Sequence, residues 1–309
     1  MSTGDLPLAN WPIGIIGGGR MGVAIAYLFL SAGHDVTLVA PAKPRSDAVR
    51  AELLAITELM GSNWDPHLLR ISPDLSSVAH AVLVIEAVPE NLLLKQTIFA
   101  DLSAICLEDT ILATNTSVIP IKDIGALVSN QSGVVGTHFW NPPYKVRLVE
   151  VIQSEHTDHA TVEKIMLLLD MIGQKPVHVR KDVPGFIGNR MQHALKREAI
   201  ALVQNGVCDA ETVDFVIRNS FGSRLGLMGT LEQSDLVGLN LTLDIHEIIL
   251  RDLDRSTEPQ PLLVNLVREG KLGVKTGEGF RRWSPDEAKE LAGRLNNLPD
   301  VTKSPKLEA

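Results

Sequence analysis

Along this chain of 309 residues the apolar positions follow two regimes. In the first, short apolar runs alternate with segments spaced like helices. "PIGIIGGG" is a short apolar run closed by glycines, which predicts a buried strand feeding a turn. "RMGVAIAYLFLSAG" has helical spacing and a glycine stop at Gly33, so a helix follows. "HDVTLVA" predicts a second strand, residues 46–60 a helix, "AVLVIEAV" a third strand and "ENLLLKQTIFADLSAIC" another helix. "TILATNT", "GVVGTHF" and "LVEVIQ" predict further strands. Strands alternating with helices imply an α/β fold with a doubly wound parallel sheet.

The second regime begins near "VRKDVPGFIGNR". Past Pro184 the strand signals fade, and "NRMQHALKREAIALVQNG", "CDAETVDFVIRNSFG" and "SDLVGLNLTLDIHEIILRDL" all have helical spacing. The predicted boundary falls between residues 183 and 184, with an α/β domain over 1–183 and an all-helical domain over 184–309. The polar last ten residues are expected to fray.

Composition narrows the function. Hydrophobic residues make up 45 %, enough for a sizeable core. The formal net charge is −8 with no basic block, which argues against a nucleic-acid partner. No apolar run reaches roughly 18 residues, and the N-terminus lacks the basic and apolar regions of a signal peptide. Cys106 and Cys208 are the only cysteines, so neither a disulfide framework nor a clustered metal site is expected. These features predict a soluble cytoplasmic protein.

Gly17, Gly19 and Gly22 form GxGxxG between a predicted strand and a predicted helix. The first glycine permits the tight turn, the second lets a pyrophosphate approach the backbone, and the third lets helix and strand pack closely. The helix N-terminus then faces the phosphates of a dinucleotide. An NAD-binding chain usually carries an acid at the end of its second strand for the ribose hydroxyls. Ala40 occupies that place here, with Lys43 and Arg45 close behind. Those cations suit the additional phosphate of NADP, or form a solvated basic loop.

"GTHFWNPPYKVRLVEVI" places His138 and Glu150 in apolar surroundings. A carboxylate there needs a partner or water. A histidine held by a carboxylate has a fixed tautomer and raised basicity, which suits proton removal from an alcohol beside a nicotinamide.

With "IGGGRMG", "IEAVPENLLLK", "NTSVIPI", "GTHFWNP", "LVEVI", "DVPGFIGNR", "SDLVGL" and "KTGEGF" in this order, the chain resembles the L-3-hydroxyacyl-CoA dehydrogenase family over nearly its whole length. The resemblance implies a Rossmann domain followed by a helical domain that forms a homodimer. It implies His138 as general base in oxidation and acid in reduction, Glu150 as its partner, and Ser117 and Asn189 as hydrogen-bonding groups for the substrate oxygens. It places Glu90, Lys95 and Asn141 on the nicotinamide side of the cofactor site, with Gly17, Gly19, Arg20, Met21, Gly22 and Asn115 also in contact with the cofactor.

The chain departs from that pattern in places. Besides Ala40, the segment from Pro41 to Leu83 is short and its helix contains no lysine, although a CoA nucleotide needs cationic or hydrogen-bonding partners. "NPPYKVR" resembles relatives that oxidise free hydroxy acids such as gulonate and carnitine, or a pyridine compound of vitamin B6 breakdown. Lys145 and Arg147 are the candidate partners for a free carboxylate. The expected activity is interconversion of a 3-hydroxyacyl and a 3-oxoacyl group, with a small free hydroxy acid or pyridine substrate as the alternative. A non-catalytic dinucleotide-binding protein is a further alternative, disfavoured because a binder needs no base.

Overall fold

The computed structural model describes residues 11–41 and 45–294. The predicted fraying of the last ten residues therefore lies outside the described residues, as does Lys43. Contacts divide the chain into two compact units, Met1–Arg190 and Met191–Ala309.

The first unit runs β1 (Ile13–Ile16), α1 (Arg20–Ser31), β2 (Val36–Val39), α2 (Arg45–Met60), β3 (Leu69–Ser72), β4 (Leu83–Glu86), α3 (Leu92–Ile105), β5 (Ile111–Thr114), the single turn α4 (Ile121–Ile124), β6 (Val134–Phe139), β7 (Leu148–Ile152), α5 (His159–Met171) and β8 (Lys175–Val179). The strands form one sheet in the order β3-β2-β1-β4-β5-β6-β7-β8. Every neighbouring pair is parallel except β6 and β7. The order reverses between β1 and β4, and a doubly wound sheet binds its ligand at the carboxyl ends of the strands beside such a reversal.

Burial on both faces explains why β1, β4, β5 and β6 read as continuous apolar runs. Ile13, Ile15, Leu38 and Ile85 enter one core cluster, and Ile16, Val84, Leu112 and Val134 enter the other. Each such side chain contributes about 1.5–3 kcal/mol when fully buried.

Two findings depart from the predicted sheet. β3 and β8 are additional edge strands, and each is inconspicuous in sequence. β3 is only "LRIS", with Arg70 exposed. β8 contains Pro176, which an edge strand tolerates because one side of its ladder is unpaired. The antiparallel β6–β7 pair is the other departure. Its connection, residues 140–147, is too short for the crossover a parallel pair requires.

The second unit takes up most of α6 (Gly188–Gln204), followed by α7 (Ala210–Asn219), α8 (Thr230–Val237), α9 (Leu239–Ile249), α10 (Pro261–Arg268) and α11 (Pro285–Arg294). The helical stretch "SDLVGLNLTLDIHEIILRDL" is broken into α8 and α9 at Gly238, where φ is 98°. Among the described residues of this unit only Ala201 and Gln260 are buried. An apolar cavity of about 580 Å³ opens between α6, α7, α10 and the segment containing Phe280 and Trp283.

Candidate functional site

The glycine loop follows β1 at the carboxyl edge of the sheet. Gly17 has φ 116°, and a Cβ there would lie 2.7 Å from the Ala87 carbonyl oxygen. A Cβ at Gly22 would collide with the Gly17 carbonyl. At Gly19 a Cβ would meet nothing within 4 Å. The loop is therefore closed where protein packs against protein and open where the backbone precedes the α1 N-terminus. This is the cradle a pyrophosphate requires, and α1 has no acidic residue in its first turn to repel one.

The neighbouring residues take distinct places. Arg20 is exposed at the start of α1, while Met21 packs against the apolar core. Ala40 is buried, and a Cβ on Gly18 would come within 2.7 Å of the Ala40 Cβ. Arg45 reaches the loop from α2, with Nε donating to the Gly18 carbonyl at 2.5 Å and NH1 3.2 Å from Glu52.

His138 and Glu150 are directly opposed in the antiparallel β6–β7 register. His138 Nδ1 lies 2.7 Å from Glu150 Oε2, and both residues are buried. Glu150 Oε1 accepts the backbone N–H groups of Ile187 at 2.9 Å and Gly188 at 3.0 Å, where α6 begins. Burial alone would raise the Glu150 pKa. The hydrogen bonds from His138, Gly188 and Ile187 outweigh it and hold the carboxyl below its ordinary range. A carboxylate is an acceptor only, so Nδ1 carries the hydrogen and Nε2 is the basic nitrogen of the ring.

The turn that delivers those two N–H groups lies in "DVPGFIGNR", where the sequence reading assigns a role to Asn189 alone. Gly185 has φ 76° and Phe186 has φ 52°, a left-handed conformation that costs a bulky residue about 1–3 kcal/mol. Phe186 is held there by burial, with its ring 5.7 Å from that of His138. Trp140 also packs against His138, with ring centroids 5.3 Å apart, and its indole edge touches Gly188. Its Nε1 is buried with no hydrogen-bond partner among the described residues.

Ser117 and Asn189 are brought together. The Asn189 side-chain amide donates to the Ser117 carbonyl at 3.0 Å. Glu90 Oε1 accepts the Thr116 hydroxyl at 2.5 Å and the N–H groups of Ser117 at 2.9 Å and Val118 at 3.1 Å. Lys95 is buried, with Nζ 3.3 Å from Glu90 and within 2.9 Å of both oxygens of Glu86. Glu86, at the end of β4, was missed because "VIEAV" reads simply as strand. Asn115 uses its side-chain oxygen to accept the Phe139 N–H at 2.9 Å, tying β5 to β6. Asn141 is exposed just past β6, and Lys145 and Arg147 are half-buried before β7. Among the described residues, no group of three or more His, Cys, Asp or Glu could hold a metal ion, and no helix is long and apolar enough to cross a membrane.

Comparison with known proteins accounts for both units. The family domain described as 3-hydroxyacyl-CoA dehydrogenase, NAD binding domain, matches residues 12–183. The one described as 3-hydroxyacyl-CoA dehydrogenase, C-terminal domain, matches residues 185–283. The chain is 34 % identical to 5-formyl-3-hydroxy-2-methylpyridine 4-carboxylate 5-dehydrogenase of Mesorhizobium japonicum, over 94 % of this chain and 97 % of that protein. It is 36 % identical to the probable 3-hydroxybutyryl-CoA dehydrogenase of Bacillus subtilis, over 86 % of this chain and 95 % of that one. A crystal structure of the pyridine-carboxylate 5-dehydrogenase, described as an NAD+-dependent dismutase, superposes with a TM-score of 0.86 at 32 % identity, covering 93 % of this chain and 95 % of that chain. The (S)-3-hydroxybutyryl-CoA dehydrogenase from Ralstonia eutropha superposes with a TM-score of 0.73 at 28 % identity, covering 88 % and 99 % respectively.

Proposed function

The chain belongs to the 3-hydroxyacyl-CoA dehydrogenase family, and from that premise we propose that it oxidises a secondary alcohol reversibly, interconverting a 3-hydroxyacyl and a 3-oxoacyl group. The observation that carries this reading is the buried His138–Glu150 pair at 2.7 Å, its carboxylate anchored by two N–H groups at the start of α6. A purely structural histidine does not need a buried carboxylate held ionised behind it.

In the oxidation, His138 Nε2 takes the hydroxyl proton. The ring becomes an imidazolium, and the Glu150 carboxylate supplies the counter-charge without a change of geometry. Ser117 and Asn189 orient the substrate oxygens. One N–H of the Asn189 amide holds the Ser117 carbonyl, which leaves the other for substrate. The glycine loop of Gly17, Gly19 and Gly22 would hold a nicotinamide dinucleotide, which when bound would supply the acceptor for the carbinol hydride. In reduction His138 returns the proton. Phe186 and Trp140 pack against the imidazole and limit its contact with water, which strengthens its interaction with Glu150.

For the cofactor, the NAD-binding family domain supports NAD. Ala40 and the position of Arg45 at the glycine loop support a measurable tolerance of NADP. The exposed apolar surface of the helical unit supports a homodimer formed through that unit. Leu231 (79 % exposed) on α8 and Ile248 (78 %) on α9 are among its side chains.

The greater structural likeness to the pyridine-carboxylate dehydrogenase favours a second reading, in which the substrate is a small free acid or a pyridine compound. Lys145 and Arg147 are then the carboxylate partners. One assay series tests both readings: reduction of acetoacetyl-CoA, free acetoacetate and other small oxo acids, with NADH and with NADPH. Turnover of acetoacetyl-CoA well above that of the free acids supports the first reading, and the reverse order supports the second. No turnover of any of them with either cofactor would overturn the first reading and the free-acid form of the second, leaving the pyridine compound.

A further inference from the structure

Lys95 Nζ is 2.8 Å from Glu86 Oε1, 2.9 Å from Glu86 Oε2 and 3.3 Å from Glu90 Oε2. An ammonium group has three donors, and these carboxylate oxygens surround it in a side chain that is 1 % exposed. Glu86 is itself fixed. Its Oε1 accepts the Val88 N–H at 2.7 Å and its Oε2 the Thr114 hydroxyl at 2.7 Å. The cluster therefore joins β4, α3 and β5. Its outer member, Glu90, is 35 % exposed and spends one oxygen on the Thr116 hydroxyl and the N–H groups of Ser117 and Val118. Burial would raise the Glu90 pKa, but those bonds and the Lys95 charge hold it low, so it remains an acceptor.

A buried ion pair is a weak device for stability, since a well-packed apolar pair of the same size does as well or better. Its geometry, by contrast, is exact in what it fixes: a charged, multiply bonded carboxylate cannot drift without losing several charge-assisted bonds together. We propose that Glu86 and Lys95 are positioning residues, forming with Glu90 a buried strut from the sheet to the Thr116–Val118 turn that sets the place of Ser117. Resting on the proposed dehydrogenase reading, this gives the cluster a part in the substrate side of the site, at second hand, through Ser117.

The test compares wild type with the double variant Glu86→Gln/Lys95→Met. The Gln amide oxygen still accepts the Val88 N–H and its NH2 can donate to the Thr114 hydroxyl oxygen, the Met fills the volume of the lysine stem, and no buried charge is left unpaired. Glu90 alone loses its inner partner. Amide hydrogen exchange of the 115–119 segment should accelerate at least about tenfold in the variant, while exchange in β2 stays unchanged. With NADH and acetoacetyl-CoA, kcat/KM should fall about tenfold or more. In a Ser117→Ala background the same double change should cost less than about threefold, because two changes acting on one group are not additive. A merely structural cluster would lower the rate equally in both backgrounds, and that result overturns the proposal. Unchanged exchange of the turn with about tenfold weaker NADH affinity also overturns it, making Lys95 a direct cofactor ligand. If the double variant fails to fold, Glu90→Gln, at the exposed end, carries the same expectations for exchange and for the Ser117 coupling. The exchange result does not depend on turnover. Loosening of the turn in an enzyme that reduces none of the oxo substrates would sustain the strut and sink the 3-oxoacyl reading.

Discussion

The α/β unit buries the apolar residues of its central strands on both faces, whereas the helical unit leaves most of its own in water. Among the described residues, Phe29, Ile15, Leu38 and Val135 are completely buried in the first unit. In the second, Leu227, Leu231, Leu236 and Ile248 are each more than 70 % exposed. A helix gains stability in water mainly by burying an apolar face, and α7 to α11 contain no buried residue. One unit therefore has a complete core of its own, and the other has the exposed apolar faces on which the proposed homodimer rests. The contrast also separates tasks: every buried charged side chain among the described residues lies in the first unit, where low surrounding polarity strengthens each charge.

The sharpest way to break the contrast is to charge the uncovered faces. Leu231→Glu with Ile248→Glu removes two apolar side chains per copy, and four across a twofold interface. At about 1.5–3 kcal/mol each, roughly 6–12 kcal/mol of association is lost. Analytical ultracentrifugation should show a dimer for the wild type and a monomer for the variant. A wild type that sediments as a monomer would show that the apolar faces serve something else.

The opposite break is made in the first unit without touching assembly. His138→Gln should lower turnover by about 10²–10⁴-fold, the usual cost of losing a general base. NADH affinity and the sedimentation coefficient should stay unchanged. Turnover near wild type would remove His138 from the chemistry.

The two units were unequally legible in sequence, for physical reasons. GxGxxG and the His138–Glu150 spacing are local patterns whose geometry follows from the elements that hold them, and the fold places both at expected points. The antiparallel turn between β6 and β7 was hidden in an alternating strand–helix reading. That turn makes the dyad, because only antiparallel register sets residue 138 opposite residue 150. Glu86 was invisible because its partners come from α3 and β5, far away in sequence. Phe186 was overlooked because sequence patterning does not report a positive φ at a non-glycine residue. In the helical unit the spacing marked the helices but not which faces would be left uncovered.

Smaller effects separate the substrate readings. If the substrate is a free acid, Arg147→Ala removes a charge-assisted contact worth about 1.5–3 kcal/mol, or roughly 10- to 150-fold in kcat/KM for the acid. The thioester assay should be unaffected. An equal loss on both substrates, or none on either, removes Arg147 from recognition of the carboxylate.

The smallest effect lies in acid. Glu150 is buried, which alone would raise its pKa, yet His138 and the N–H groups of Gly188 and Ile187 hold it below the ordinary carboxylate value. A carboxyl depressed by folding adds stability that is fully present above its unfolded pKa, near 4.3, and is lost as pH falls through the folded value. Glu90, depressed in the same direction, adds to the same limb. Asp209 in the helical unit is also depressed, but by bonds at an exposed site that solvent screens. Acid should therefore loosen the α/β unit around β6, β7 and the start of α6 more than its surface charges suggest. Glu150→Gln cannot ionise, so it should flatten the acid limb while lowering stability at neutral pH, where the wild-type carboxylate contributes fully. Thermal melts of wild type and variant from pH 7 to pH 3 read this directly. The difference between them should be largest at neutral pH and shrink below about pH 4.5. A constant difference over that whole range would mean that the carboxylate of Glu150 gains nothing from its three donors.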